Sequence, residues 1–250
     1  MKALITGASS GLGKDMALVL GKKGWDLILV ARRADRLENV KNQINNVNVQ
    51  CIIADVSKTE ECEKLYERTK DENVDMIINN AGFGDCGKFL ETDLERELNM
   101  IDTNIKAVHI LTKLFLHDFA QRNSGYILNV ASSAGFMAGP LMATYYATKN
   151  YVLRLTEAIY QELRQDKINV HISALCPGPV ETEFNQVASV KFAIKGLDSC
   201  QVAEYAIEQA LKGKLIIVPG TAMKFAKFGG RFMPDKAMLR MCYKIQYHKV

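Results

Sequence analysis

Short runs of apolar, often β-branched residues alternate along this chain with longer stretches whose apolar residues recur at helical spacing. Strands that are apolar throughout must be covered on both faces, which requires a parallel sheet with helices above and below it. The pattern predicts an α/β fold, a doubly wound sheet of about seven parallel strands flanked by helices. The predicted strands are residues 2–6, 26–31, 47–54, 75–79, 125–131, 168–176 and 214–218.

Length and composition exclude several classes of protein. The 250 residues are 48% hydrophobic and 24% charged, as in an ordinary globular chain, and fit one large core. The apolar runs are strand-sized, far short of the roughly 18 residues of a membrane-spanning helix. The first strand begins beside Met1, which leaves no room for a signal or transit peptide, so a cytoplasmic protein is expected. The six scattered cysteines favour reduced thiols over a disulfide framework or a zinc site.

The last thirty residues differ in charge from the rest of the chain. Residues 221–250 hold seven cations and one anion, a net charge of +6, whereas the other 220 residues sum to −2. Many aromatic and aliphatic residues lie among these cations, and two helices are predicted at 221–228 and 235–247, separated by Gly229, Gly230 and Pro234. This extension either packs on the rest of the chain or a second subunit, which we favour, or makes peripheral contact with an anionic membrane. Nucleic-acid binding is disfavoured, since no base-reading motif accompanies the charge.

A glycine-rich turn follows the first predicted strand and opens a helix. Glycines permit a tight turn and let backbone N–H groups approach a pyrophosphate, while the helix N-terminus offers free donors. A plain β-to-α turn would use the same residue types, but the position between a first strand and a first helix favours nucleotide binding. The residues predicted to contact the nucleotide here are Gly7, Ser9, Ser10, Gly11, Leu12 and Gly13.

The ends of the next strands predict which nucleotide is bound. Where a cofactor with an unphosphorylated ribose would meet an Asp or Glu, the chain has Arg32, which suits a 2′-phosphate, with Ser10 as a further donor. We therefore expect NADP(H), without excluding NAD(H); the alternative is that the arginines here are a solvated helix entry. Asp55 would accept from the adenine amino group and Val56 would pack on the ring. Small residues that let the backbone pass close to the cofactor follow the fourth strand at Asn80, Ala81 and Gly82.

Tyr145 and Lys149 are four residues apart, which on a helix places phenol and ammonium on one face. An adjacent cation stabilises a phenolate and so lowers the tyrosine pKa towards a useful range. Ser132 lies thirteen residues before Tyr145, at the end of the fifth predicted strand. Its hydroxyl would there meet the same substrate oxygen as the Tyr145 phenol. Alone, a tyrosine and a lysine at this spacing, such as Tyr145 and Lys149, are more often an ordinary surface contact.

Together these motifs resemble the short-chain dehydrogenase/reductase family, in its branch of about 250 residues. The matching segments are Thr6-Gly-x-x-x-Gly-x-Gly13, Asn79-Asn-Ala-Gly82, Asn104, Ser132, Tyr145-x-x-x-Lys149 and Pro177-Gly-x-Val-x-Thr182. The resemblance implies a Rossmann-like fold with Tyr145 as general acid–base, Ser132 orienting the substrate oxygen and Lys149 binding the nicotinamide ribose. It further implies that Asn104 holds a proton-relaying water. The residues expected to cover the nicotinamide are Pro177, Gly178, Val180 and Thr182.

The resemblance also implies an activity and an assembly. We expect residues 1–220 to be an NADP(H)-binding catalytic domain that transfers a hydride between cofactor and a carbonyl or alcohol without a metal. The alternative is a nucleotide-binding regulatory or scaffold protein attached through its basic tail. Residues 182–197 correspond to the variable substrate lid, whose Phe184, Val187, Phe192 and Ile194 suit a lipophilic substrate, or else form a short helix packed on the body. A homodimer or homotetramer is expected through long helices at about 93–122 and 143–165.

Overall fold

A computed structural model describes residues 1–184, 188, 196–230 and 233–247, with only the backbone of residues 222, 225–227 and 230. Within these residues the strands form one sheet in the order β3-β2-β1-β4-β5-β6-β7, and all neighbouring strands are parallel. The predicted doubly wound sheet is confirmed. The strands are β1 (Lys2–Thr6), β2 (Asp26–Ala31), β3 (Val49–Ile53), β4 (Met76–Asn79), β5 (Gly125–Val130), β6 (Val170–Leu175) and β7 (Ile216–Ile217).

Helices cover both faces of this sheet, and they are α1 (Gly11–Lys22), α2 (Ala34–Lys41), α3 (Thr59–Thr69), α4 (Leu94–Ile101), α5 (Ala107–Gln121), α6 (Ala143–Gln165), α7 (Ser199–Leu211), α8 (Thr221–Gly230) and α9 (Asp235–Tyr247). Alternate residues of each strand point to opposite faces. Leu27 and Leu29 therefore belong to a core with Leu20 of α1 and Ile207 of α7. Ile28 of the same strand packs on the other side, in a core that includes residues of α3, α5 and α6.

The strand order reverses at β1, which pairs with β2 on one side and β4 on the other. Helices that leave these two neighbours turn to opposite faces, so a crevice opens beyond their carboxyl ends. The loops that carry most of the predicted site residues follow β1 to β6, so they meet at one edge of the sheet.

Two predicted elements differ from those observed. The edge strand β7 is reduced to Ile216–Ile217, although Leu215 still accepts a hydrogen bond from Ala174. The predicted long helix 93–122 is interrupted by a π-helical turn at Asp102–Lys106, where the side chain of Asn104 is drawn inwards. Such turns break the regular helix where a functional group must be re-aimed.

The C-terminal extension forms α8 and α9, but α8 continues through Gly229 and Gly230, so this glycine pair does not separate the helices as predicted. Met223 of α8 lies against Gly178, and the Cys242 thiol of α9 lies 3.4 Å from Met137 Sδ. Lys224 approaches the ring of Tyr205 on α7. Among the described helices none is long and apolar enough to cross a membrane.

A buried amide network ties helix α6 to the middle of the sheet. The Asn79 amide at the end of β4 donates to Asn129 Oδ1 on β5 at 2.8 Å and to Thr112 of α5 at 3.1 Å. Asn129 in turn donates to Thr156 of α6 at 3.0 Å. All four side chains are buried, so the network fixes α6 against β5 through directional bonds.

We expect Asn129→Ala to lower the free energy of unfolding by about 2–3 kcal/mol, because it removes the bonds to Thr156 and Asn79 and leaves buried amide atoms unpaired. Ser173→Ala on the neighbouring strand is the control, since this buried hydroxyl has no hydrogen-bond partner among the residues described. Removal of the Ser173 hydroxyl should leave the free energy of unfolding unchanged or raise it. Urea denaturation of both variants checks this, and equal effects would contradict the role given to the network.

Candidate active site

The loop after β1 depends on two glycines in the left-handed region. Gly7 has a φ of 66° and Gly11 a φ of 53°. A Cβ atom on Gly7 would lie 2.8 Å from the Ala81 Cα, and one on Gly11 would lie 3.2 Å from the Thr182 Cβ. Both the backbone conformation and the space therefore require glycine.

Thr6 and Asn80 lock this loop to the end of β4. Thr6 Oγ1 accepts from the backbone N–H groups of Asn80 at 3.0 Å and Ala81 at 3.1 Å. The Asn80 amide donates back to the carbonyls of Thr6 at 3.0 Å and Gly7 at 3.2 Å. Gly13 lies beneath this contact, since a Cβ there would be 2.4 Å from Asn80 Nδ2. Gly13 therefore serves close packing of α1 on the loop.

The N-terminus of α1 is open to an anion. Ser10 is its N-cap residue, and the described residues include no acidic side chain in the first turn of α1. The Ser10 hydroxyl accepts a hydrogen bond from Arg33 at 2.9 Å, so it is engaged outside the helix. The first-turn amides and the helix dipole thus favour a phosphate at this position.

One cleft of about 880 Å³ brings most predicted residues together. The volume suits a large ligand, and the glycine cradle and the open helix end fit the diphosphate of a dinucleotide. Gly13 and Asn104 lie behind its wall. The predicted residues that line it are Gly7, Ser9, Ser10, Gly11, Leu12, Arg32, Asp55, Val56, Asn80, Ala81, Gly82, Ser132, Tyr145, Lys149, Pro177, Gly178, Val180 and Thr182.

At one end of the cleft Arg32 is largely exposed, and its guanidinium lies 4.0 Å from the Asp55 carboxylate. Asp55 Oδ1 accepts from the backbone N–H of Ser57 at 3.1 Å and from its hydroxyl at 2.8 Å. One carboxylate oxygen of Asp55 therefore holds its own turn, and the other faces Arg32.

Arg33, which the sequence analysis did not select, makes the closer contacts with the glycine-rich loop. Its Nη2 donates to the hydroxyls of Ser9 at 3.1 Å and Ser10 at 2.9 Å. It also pairs with Glu183, from the other wall of the cleft, at 3.3 Å. The adjacent pair Arg32-Arg33 was visible in the sequence, but its spacing does not reveal which guanidinium turns towards the loop.

Tyr145 lies in the first turn of α6 and is buried, with a side-chain hydrogen bond to Ser132 at the end of β5. Burial raises the pKa of Tyr145 to about 12, and the hydrogen bond to Ser132 acts in the opposite direction. Ser132 Oγ accepts from the backbone N–H of Ala134 at 3.1 Å, which leaves its own proton available for donation. Tyr145 is therefore a neutral phenol at neutral pH.

Lys149 lies one turn further along α6, on the same face as Tyr145. Its Nζ donates to the Val130 carbonyl at 2.8 Å and is 5.9 Å from the centroid of the Tyr145 ring. Burial lowers the pKa of Lys149 to about 8, and Cys176 opposes this shift. The predicted lowering of the Tyr145 pKa by Lys149 is not seen here, since desolvation of the phenol outweighs any gain from the cation.

Asn104, in the π-helical turn, is fully buried. Its Oδ1 accepts from the Phe83 N–H at 3.1 Å, while its Nδ2 donates to the Phe83 carbonyl at 2.9 Å and to Thr148 at 3.1 Å. A Cβ on Gly82 would lie 2.8 Å from Asn104 Oδ1 and 3.5 Å from Lys149 Nζ. Asn104 therefore fixes the backbone that passes Lys149, and its predicted water-holding role stays a prediction.

Aromatic and apolar side chains surround the Tyr145 end of the cleft. The ring of Phe184 lies 5.3 Å from that of Tyr145, and Phe83, Met142 and Tyr146 also line this end. Phe136, which is also close in sequence to Ser132, packs instead on a neighbouring apolar cluster. The lid residues Val187, Phe192 and Ile194 lie outside the described residues.

Comparison with known proteins decides the family. Residues 1–192 match the family model of the short chain dehydrogenases. The chain belongs to the short-chain dehydrogenase/reductase family. It is 37% identical over 198 residues to an uncharacterised oxidoreductase of Staphylococcus saprophyticus, covering 78% of this chain and 80% of that protein. This short-chain dehydrogenase is therefore an oxidoreductase.

Solved structures of the family hold two different cofactors. A short-chain dehydrogenase from Sphingobium yanoikuyae in complex with NADPH is 27% identical, with a TM-score of 0.83 over 92% of both chains. A Burkholderia phymatum family member in complex with NAD, 24% identical, shares the fold with a TM-score of 0.83 over 90% of this chain and 91% of that one. The two neighbours thus differ in the cofactor that each holds.

The buried ammonium of Lys149 predicts a measurable stability cost in this dehydrogenase. A folded-state pKa of about 8 against 10.5 in the unfolded chain corresponds to a penalty of about 3 kcal/mol below pH 8, which is relieved as the pH rises towards 10.5. We expect Lys149→Met to be more stable than wild type by about 1–3 kcal/mol at pH 7, with the gap narrowing by about pH 9.5. Urea denaturation at both pH values measures it; a less stable variant with no pH-dependent gap would contradict the burial argument.

Proposed function

We propose that the protein transfers a hydride between NADP(H) and a carbonyl or alcohol substrate, with Tyr145 as general acid–base. The observation that carries the proposal is that one cleft joins an anion-binding glycine loop to a buried Tyr145 held by Ser132, with Lys149 beside it. The presence of Asn104, Ser132, Tyr145 and Lys149 together disfavours the alternative of a regulatory or scaffold protein, which would need none of these side chains.

The residues divide the chemistry of the reducing direction. Bound NADPH would supply the hydride to the carbonyl carbon. Because the pKa of Tyr145 is about 12, its phenol is protonated at neutral pH and donates its proton to the substrate oxygen. Ser132, whose oxygen already accepts from Ala134, donates a hydrogen bond where negative charge develops on that oxygen. Lys149 stabilises the resulting phenolate, and in alcohol oxidation Tyr145 takes the proton back.

The first test is Tyr145→Phe, which removes the transferable proton and little else. We expect turnover to fall by at least about 100-fold, while cofactor binding is retained. The control is Tyr160→Phe, which deletes a phenol hydroxyl on the same helix outside the cleft and should leave turnover unchanged. The assay follows NADPH oxidation with a panel of ketones and aldehydes, and full activity of Tyr145→Phe would overturn the mechanism.

The preference for NADP(H) rests on Arg32, Arg33 and the hydroxyls of Ser9 and Ser10. An arginine fork matches the geometry of a phosphate, and the serine hydroxyls lie within 3.1 Å of the Arg33 guanidinium. Asp55, which would accept from the adenine amino group, faces Arg32 and leaves that guanidinium exposed.

We expect Arg32→Ala and Arg33→Ala each to weaken NADPH binding by about ten-fold and NADH binding by less than about two-fold. The matched control is Arg68→Ala, which removes an exposed guanidinium from α3 and should change neither. Titration by cofactor fluorescence measures all three variants. Tighter binding of NADH than NADPH by wild type would refute the cofactor assignment.

The substrate is proposed to be apolar around its carbonyl. Phe83, Met142, Tyr146 and Phe184 surround Tyr145, so a substrate held there contacts aromatic and aliphatic carbon. This environment favours a lipophilic ketone, aldehyde or secondary alcohol over a charged one.

We also infer that the extension predicted at residues 221–250 packs, through its described residues 221–230 and 233–247, on the catalytic domain of residues 1–220 at the substrate end of its cleft. The contacts of Met223 with Gly178 and of Cys242 with Met137 support this arrangement. Peripheral membrane contact through the basic tail, a homodimer or homotetramer through α4, α5 and α6, and a cytoplasmic location stay predictions. Leu239 and Ile245, exposed on α9, are compatible with either a membrane or a subunit contact.

A further inference from the structure

Glu183 crosses the cleft to Arg33, one of the two arginines that the cofactor proposal assigns to a 2′-phosphate, and to Arg36 beside it. Its Oε2 accepts from Arg33 Nη1 at 3.3 Å and Nη2 at 3.4 Å. Its Oε1 accepts from Arg36 at 2.5 Å. The same Arg33 Nη2 also donates to Ser9 and Ser10. One guanidinium is thus shared between the glycine-rich loop and a carboxylate from the opposite wall.

The carboxylate is charged under ordinary conditions. Partial burial opposes ionisation of Glu183, but hydrogen bonds from Arg36 and Arg33, together with their charges, hold its pKa below the usual value. Arg33 and Arg36 therefore already have an anionic partner supplied by the chain itself. An arginine has a fixed set of donors, and two anions that share one guanidinium repel each other.

We propose that Glu183 is an internal competitor for the 2′-phosphate of the cofactor, holding the donors of Arg33 that the phosphate must take. When the Arg33 donors turn from Glu183 to the phosphate, Arg36 still pairs with Glu183. The carboxylate is therefore not left without a cationic partner. The proposal rests on the NADP(H) preference stated above. It makes Glu183 a residue that sets how strongly the protein discriminates between phosphorylated and unphosphorylated ribose.

The neighbours of Glu183 place this exchange at a junction of the site. Thr182 lies against Gly11 of the phosphate loop, and Phe184 packs on the ring of Tyr145. Three successive residues thus contact the glycine-rich loop at Gly11, the guanidinium groups of Arg33 and Arg36, and the Tyr145 ring.

The experiment compares binding of 2′,5′-ADP and 5′-AMP by calorimetry to the full-length wild type, Glu183→Gln and Glu181→Gln. These nucleotides report the adenosine end of the site without turnover. Glu181→Gln is the matched control, because it removes the same charge two residues before Glu183. The Glu181 side chain is exposed, and the Glu181 backbone N–H donates to the Leu197 carbonyl.

We expect Glu183→Gln to bind 2′,5′-ADP about three- to ten-fold more tightly than wild type, with 5′-AMP affinity unchanged, since a neutral amide no longer competes for Arg33. Glu181→Gln should behave as wild type. Weaker or unchanged binding of 2′,5′-ADP by Glu183→Gln, or an equal gain in Glu181→Gln, would overturn the competition. Wild type that binds both nucleotides equally would instead contradict the NADP(H) preference, so the two failures are distinguishable.

Discussion

The reversal of strand order at β1 is the constraint on which the rest of this molecule depends. Because every described strand is parallel, the carboxyl ends of β1, β2, β4, β5 and β6 all open to one edge. The reversal then parts the helices above that edge and leaves a crevice. Thr6, at the end of β1, and Asn80, directly after β4, join these two strands at the crevice through four hydrogen bonds. The position of the glycine-rich loop depends on these bonds.

Burial sets the pKa values of the titratable groups at this edge of the sheet. Tyr145 and Lys149 are buried, and this burial raises the pKa of the phenol to about 12 and lowers that of the ammonium to about 8. Both shifts favour the neutral form and cost stability when the charge is present. The amide network from Asn79 through Asn129 to Thr156 holds α6 in place against this cost. Helix α6 therefore carries both the two buried titratable groups and a hydrogen bond that anchors it to the sheet.

The sequence predicted the sheet, the family and the cleft because each leaves a local pattern. Apolar runs predicted all seven strands, and the Tyr145–Lys149 spacing placed both side chains on one helix face. Side-chain direction has no such pattern. Arg33 was passed over for Arg32, and Glu183, 150 residues from Arg33 along the chain, was invisible because the contact exists only after the sheet brings both walls together. The π-helical turn at Asn104 was missed because the helical spacing runs through it and the partner of Asn104, Phe83, lies in another segment.

In the proposed function the cleft is one reaction site with an anion-binding end and a proton-donating end, and isotope transfer tests that claim most directly. The protein would be incubated with a panel of lipophilic ketones and NADPH deuterated at the transferable position of C4, and the product analysed by mass spectrometry and NMR. The account predicts deuterium on the carbinol carbon of the alcohol product. Tight binding of NADPH without label transfer to any carbonyl of the panel would contradict it.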